Sequence, residues 1–157
     1  MSATFVSVFI LLMSGAMLVL WLRSASQSVL RQRFEQDFSS EVAEANQLEF
    51  LTIRKALAGA PGNIGDHRNV LAALEQDYQA LSYLLRNAAT VHVGRYSRSE
   101  RLLILDFKLL SLWVRFSRGL GLQGWRSGLL EMTTILQYFG NVVGQRLATF
   151  PSRISPN

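Results

Sequence analysis

The chain contains no cysteine among its 157 residues. A disulfide framework, a thiolate zinc site, an iron–sulfur cluster and a cysteine nucleophile are therefore all excluded. Histidine is almost as scarce: His67 and His92 are the only two, and neither has a partner at the H-x-x-x-H or E-x-x-H spacing of a metal-binding helix. We expect no metal and no other cofactor.

Chain-breaking residues are also few, with three prolines and eleven glycines, whereas 49% of the residues are apolar. Such a composition differs from that of a disordered tail, and the chain should fold. Outside one membrane span, about 130 residues remain, which is enough for a single domain with one hydrophobic core.

Charged side chains are absent from Thr4 to Leu22. As a helix this segment is about 28 Å long, close to the hydrocarbon thickness of a bilayer, and we predict an uncleaved transmembrane helix. A cleaved signal peptide is the alternative, but it would need a basic start and a shorter apolar stretch. Without an ionisable group, the span has no side chain for a proton path, an ion path or haem ligation.

Basic residues lie on one side of the span only. Arg23, Arg31 and Arg33 follow it within a dozen positions and none precedes it. The positive-inside rule then places the N-terminus outside and the following domain in the cytoplasm, and we expect a single-pass protein of a bacterial inner membrane. Trp21 and Arg23 suit the headgroup boundary, where an indole ring and a guanidinium both find partners.

Helical periodicity continues beyond the span. Apolar residues at a mean spacing of about 3.7 predict one amphipathic helix from Gln27 to Leu57. The glycine- and proline-rich stretch 59–65 ends it. A second helix is predicted from His67 to Ala88, with Asp66 as its N-cap.

A third helix is indicated by the capping box of Ser97 and Glu100. Its apolar run, Leu102 to Phe116, is too short for a second span and is predicted to be a core helix. A last helix is predicted from Trp125 to Ala148. The expected fold is all-α: a transmembrane anchor over 1–23, a bundle of about four helices over 24–150, and a tail over 151–157.

Small residues at helical spacing are candidates for close helix packing. Ser7, Ser14 and Gly15 lie in the span, and Gly140 and Gly144 form a G-x-x-x-G spacing in the last helix. Such residues let another helix approach closely in a membrane. Ordinary span composition is the alternative explanation for the first three.

Positive charge is concentrated in one part of the chain. Residues 24–93 hold six basic and eight acidic residues, whereas 94–126 hold seven basic and two acidic ones. Arg101, Lys108 and Arg115 repeat every seven residues, so they form one stripe that could face water, anionic lipid or an acidic partner. Asp106 stands alone in an apolar run, which favours an ion pair with another helix, or a place at the rim, over catalysis.

Two motif matches are better explained structurally. Residues 119–124 fit G-x-G-x-x-G, but a dinucleotide site needs a preceding strand and an acidic residue about twenty positions later. A helix is predicted there instead, and no acidic residue follows Glu131. Basic residues around Tyr96 resemble a nucleic-acid site, yet the capping box already accounts for Ser97 and Glu100. Since the anchor also ties this segment to a membrane, we expect no nucleic-acid binding.

No catalytic motif is present, and we do not expect an enzyme. The favoured hypothesis is a non-catalytic accessory or assembly subunit of a larger membrane protein complex, which docks through its span and basic helical domain onto other integral membrane subunits, with anionic lipid as a possible further contact. One alternative is a membrane-tethered adaptor or regulator of a soluble partner. Another is an enzyme acting on lipid, with the basic stripe recognising a headgroup.

Overall fold

The computed structural model describes residues 2–31, 34, 36–59, 67–88, 96–119 and 124–149. Within these ranges the chain is all-α, with one long apolar N-terminal helix followed by a helical bundle and no strand, as the sequence predicted. The predicted cap Asp66, His92 and the tail 151–157 lie outside the described residues, as do Arg33 and positions 120–123 of the glycine motif. The helices are α1 Ser2–Leu30, α2 Ser39–Ala45, α3 Phe50–Ala58, α4 His67–Ala88, α5 Arg98–Gly119 and α6 Trp125–Thr149.

Helix α1 is long and apolar enough to cross a membrane. It has 29 residues and is about 43 Å long, so it continues about 12 Å beyond Leu22. Every side chain from Thr4 to Trp21 is exposed, whereas Leu22 and Ser26 are buried. The last two turns of α1 are therefore part of the bundle, and no linker separates the two.

The predicted single helix from Gln27 to Leu57 is wrong, because this stretch contains the end of α1, then α2 and α3. Between α2 and α3, Gln47 adopts the left-handed conformation with φ of 53°. Its N–H donates to the Glu44 carbonyl at 3.3 Å, and the Leu48 N–H donates to the Ala43 carbonyl at 2.9 Å. These two bonds form a Schellman motif, which ends α2 without a glycine.

Distant side chains cap both short helices. The Asn141 Oδ1 of α6 accepts from the backbone N–H of Phe38 at 2.7 Å and of Ser39 at 3.0 Å, at the start of α2. Likewise the Asp77 Oδ2 of α4 accepts from Glu49 at 2.9 Å and Phe50 at 2.7 Å, at the start of α3. These distant acceptors, together with the local Asp37 Oδ1 that accepts from the Ser39 N–H at 3.0 Å, satisfy N–H groups that would otherwise be unpaired at the helix starts.

Helix α6 is the centre of the bundle and packs against all the other helices. Its apolar face is fully buried at Leu129, Met132, Leu136, Phe139 and Val143, whereas Leu147 is 53% exposed. The bounds of α4 agree with the prediction. The capping box of α5 is also confirmed: Glu100 Oε2 accepts from the Ser97 N–H at 3.0 Å, and Ser97 Oγ accepts from the Glu100 N–H at 3.2 Å.

The glycine pair of α6 lies directly beneath α2. A Cβ added at Gly140 would lie 3.3 Å from the Ser39 Cα, and one added at Gly144 would overlap the side chain of Phe38 and lie 3.4 Å from the Val42 Cγ2. The G-x-x-x-G spacing thus brings two helices of the same chain close together.

Replacing Gln47 by glycine should stabilise the fold by about 0.5–1 kcal/mol, because glycine adopts φ of 53° without the Cβ clash of other residues. Thermal unfolding in detergent, followed by far-UV circular dichroism, measures the effect. Gln47→Ala is the control and should give no gain, since alanine keeps the Cβ. If both variants were equally stable, the backbone of Gln47 would not be strained in this turn.

Gly144→Ala should destabilise the bundle. Overpacking costs about 1–3 kcal/mol, which exceeds the gain of up to about 1 kcal/mol from alanine inside a helix. Gly15→Ala is the matched control, because a Cβ there meets nothing within 4 Å. Chemical unfolding in detergent should separate the two variants, and a Gly144→Ala protein as stable as the Gly15→Ala protein would refute the close approach of α2.

Candidate functional site at the junction of the span and the bundle

Four polar side chains join the C-terminal end of α1 to the bundle, and we call them the junction cluster. The Arg23 guanidinium of α1 forms an ion pair with the Glu131 carboxylate of α6. One helical turn later, the Ser26 hydroxyl donates to the Asp106 Oδ2 of α5 at 2.5 Å. Residues three apart share a helix face, so α1 presents both groups to the bundle at once.

Burial dominates the electrostatics of this cluster. Asp106 is only 1% exposed, and its burial raises the pKa of its carboxyl group, against the opposing effects of the Ser26 hydroxyl and the Arg23 charge. Burial likewise raises the pKa of Glu131; Arg23 opposes this rise and the Asp106 carboxylate adds to it. Two carboxyl groups therefore share one guanidinium.

One oxygen of each carboxyl group has no hydrogen-bond partner among the described residues, namely the Asp106 Oδ1 and the Glu131 Oε1. If both groups were ionised, the cluster would hold a net negative charge that is only partly accessible to water, which is costly. This cost acts in the same direction as the raised pKa of both carboxyl groups. The cluster thus joins α1 to the bundle through two carboxyl groups whose ionised forms burial disfavours.

Sequence reasoning found part of this cluster. Asp106 was expected to form an ion pair with another helix or to lie at the rim; it is buried and contacts α1 through Ser26, with Arg23 close enough to influence its charge. Arg23 was expected at the headgroups, which stays a prediction; its guanidinium is paired with Glu131 and remains partly exposed. Glu131 was not singled out, although it is an isolated acid in the apolar part of α6, the same signal that drew attention to Asp106.

The predicted basic stripe lies on the surface of α5, where Arg101, Lys108 and Arg115 are all exposed. The Arg115 Nη2 donates to both carboxylate oxygens of Glu75 in α4, at 2.8 Å to Oε1 and 2.7 Å to Oε2. Within the described part of the chain, Arg101 and Lys108 have no acidic partner. Two of the three charges thus have no ion-pair partner in the described ranges.

An exposed apolar face on α5 was missed, because the whole run from Leu102 to Phe116 was predicted to be core. The exposed fraction is 50% for Leu105, 62% for Leu112 and 64% for Phe116. Leu109 lies between them and is partly exposed. These four residues recur at three- and four-residue steps, so they form one face, which we call the outer face of α5.

An open groove of about 330 Å³ lies between α4 and α5. Its floor contains the stacked rings of Tyr78 and Phe107, with centroids 4.3 Å apart. The Glu75 carboxylate on its wall accepts from the Ser111 hydroxyl at 2.5 Å as well as from Arg115. These contacts tie Glu75 of α4 to two side chains of α5, so the carboxylate joins the two helices along the groove.

The candidate packing residues of the span, Ser7, Ser14 and Gly15, are all exposed. Trp21 at its inner end is 66% exposed and faces the surroundings of the protein. This surface touches no other part of the bundle as described, so a membrane would offer it lipid or another helix.

No group of three or more metal-binding side chains occurs among the described residues. Comparison with protein-family models, with curated proteins and with solved structures finds no match to the chain. The features of the molecule that bear on its function are therefore the junction cluster, the exposed surface of α1 and the outer face of α5.

The raised pKa values of Asp106 and Glu131 predict that stability falls as pH rises. Between the ordinary carboxyl value near 4 and the raised values, the folded state binds more protons than the unfolded state, so the free energy of unfolding decreases through that window. Asp106→Asn should reduce this decrease, because the amide oxygen still accepts from Ser26 and no longer ionises. Thermal unfolding in detergent from pH 4 to pH 8 measures it.

Glu131→Gln is the companion variant and should behave oppositely at neutral pH. It keeps an amide oxygen that accepts from Arg23 but removes the carboxylate charge that pairs with the guanidinium, which should cost about 1–3 kcal/mol. If Asp106→Asn lost as much stability at pH 8 as Glu131→Gln, the two carboxyl groups would not be competing for one guanidinium.

Proposed function

We propose that this protein is a non-catalytic accessory or assembly subunit of a larger membrane protein complex. It docks onto integral membrane subunits through its single span and holds a basic helical bundle against them on one side of the membrane. The span provides the surface that contacts the integral membrane subunits. The bundle is held at a fixed position relative to those subunits.

The observation that carries this proposal is the continuity of α1 from the span into the bundle, fixed there by the junction cluster. A flexible tether would only confine a domain to a membrane. A helix that packs through Leu22 and Ser26 into the bundle also sets the direction of the span relative to it. Such rigidity suits a subunit that contacts neighbours both inside and outside the bilayer.

The topology that we propose places the N-terminus outside and the bundle in the cytoplasm of a bacterium, at the inner membrane. Arg23 and Arg31 at the inner end of α1 support it by the positive-inside rule. The junction cluster also argues against removal of the span as a signal peptide. Cleavage near Ser24 would take Arg23 away and leave Glu131 half-buried without its cation.

A membrane-tethered adaptor for a soluble partner is the second candidate. The groove between α4 and α5 favours it, because an exposed aromatic and charged depression is a plausible docking place for a soluble protein. The two functions differ in which surface meets the partner: the span for the subunit, the groove for the adaptor.

Site-directed photocrosslinking in native membranes tests both functions. A photoreactive amino acid at Leu11 lies on the helix face of Ser7 and Ser14, whereas one at Phe9 lies about 160° around the helix. We expect Leu11 to give an adduct with another integral membrane protein and Phe9, the matched control, to give mainly lipid adducts. A third probe at Gln79 samples the groove.

Lipid adducts alone from both span positions would contradict the subunit proposal. An adduct from Gln79 with a soluble protein, combined with lipid adducts alone from the span, would establish the adaptor function instead. A covalent adduct between Leu11 and an integral membrane protein would support the proposal.

A further inference from the structure

We infer that the outer face of α5 is a lipid-binding surface, which lies on the anionic headgroup layer of the leaflet that α1 enters. Leu105, Leu109, Leu112 and Phe116 would contact the acyl boundary, and Arg101 and Lys108 would contact headgroup phosphates. The inference needs α1 to be in a membrane, but it does not need the partner complex of the proposed function.

Apolar and basic side chains alternate along this surface. Leu105 lies four residues after Arg101 and three before Lys108, and Leu112 lies four residues after Lys108. Side chains at these spacings are neighbours on a helix, so each exposed leucine has a cation beside it. An apolar face edged by basic residues is the pattern of helices that lie in a membrane interface.

The contact with α1 places α5 at the depth of the headgroups. Ser26, which bonds Asp106 near the middle of α5, lies about 6 Å along the helix beyond Leu22, the inner end of the apolar segment. The interfacial layer of each leaflet is about 5–8 Å thick. The midpoint of α5 is therefore level with that layer when α1 spans the bilayer.

Helix α5 does not run beside the span. It has 22 residues and is about 33 Å long. If it lay parallel to α1, half of it would extend about 16 Å from Asp106 along the span and cover one side. All residues from Thr4 to Trp21 are nevertheless exposed, so α5 passes below the span end.

The arrangement of faces around α5 directs the outer face toward the bilayer. Asp106 marks the side next to α1, and the bundle core contacts the side of Leu103, Phe107 and Val114. At about 100° per residue, the outer face is centred about 90° from Asp106 and on the opposite side from the core. For a helix that passes below the end of the span, this direction leads away from the bundle and toward the membrane.

Charge on this surface favours anionic lipid over a neutral surface. Arg101 and Lys108 have no acidic partner among the described residues, whereas Arg115 is already paired with Glu75. A basic side chain close to an anionic leaflet favours docking by about fivefold, which corresponds to about 1 kcal/mol. The two unpaired cations together should shift the docking equilibrium by about 25-fold.

Because the chain has no cysteine, single-cysteine labelling reports on one position at a time. A nitroxide is attached after Leu112→Cys, and in a second protein after Phe116→Cys, in the full chain reconstituted at one copy per nanodisc. The discs contain phosphatidylcholine alone or with one third phosphatidylglycerol. Gln76→Cys on exposed α4 is the control position.

We expect the labels at positions 112 and 116 to be protected from a water-soluble relaxation agent and accessible to oxygen in anionic discs, and the label at 76 to remain in water. Arg101→Gln with Lys108→Gln should weaken this protection, whereas the matched pair Lys55→Gln with Arg86→Gln, which removes the same charge elsewhere, should not. Circular dichroism of each variant checks that the fold is retained.

Three results would overturn the inference. The labels at 112 and 116 could be as open to water as the label at 76. Their protection could be equal in neutral and anionic discs, which would remove the role of Arg101 and Lys108. It could also occur only when two copies share a disc, which would assign the outer face to a second copy of the chain. None of these results tests whether the span binds a partner protein, so the proposed function can stand or fail independently.

Discussion

The pairing of Arg23 and Ser26 with the carboxyl groups of Glu131 and Asp106 is the interaction on which the rest of the structure depends. The two acids lie on different helices of the bundle, and α1 supplies both the cation and the hydroxyl that contact them. Burying two carboxyl groups without these partners would be costly. The bundle is therefore electrostatically incomplete without the helix that leaves it, and the direction of the span is part of the fold.

Around that junction, α6 organises the remaining helices. Its Asn141 side chain caps α2, and its Gly140 and Gly144 let α2 approach closely. Asp77 of α4 performs the corresponding capping for α3. With seven and nine residues, α2 and α3 are too short to be stable alone, so these contacts determine both their existence and their position.

Local signals predicted much of this fold, whereas contacts between distant residues decided what was missed. The capping box of Ser97 and Glu100 and the bounds of α4 follow from nearby residues and were predicted correctly. The break between α2 and α3 depends on Asp77, far along the chain, and no glycine marks it. Arg23 and Glu131 are 108 residues apart, so periodicity could not pair them. The outer face of α5 was missed because α5 is apolar on both sides, which resembles the pattern of a fully buried helix.

The central claim is that the span and the bundle form one rigid unit. Double electron–electron resonance between nitroxides attached after Ser14→Cys in the span and Gln76→Cys in α4 measures it directly, since both positions are exposed and the chain has no native cysteine. The junction cluster predicts a single narrow distance distribution in nanodiscs, which broadens when Glu131→Gln and Ser26→Ala are introduced together. A distribution that is already broad in the protein with the cluster intact would contradict the account.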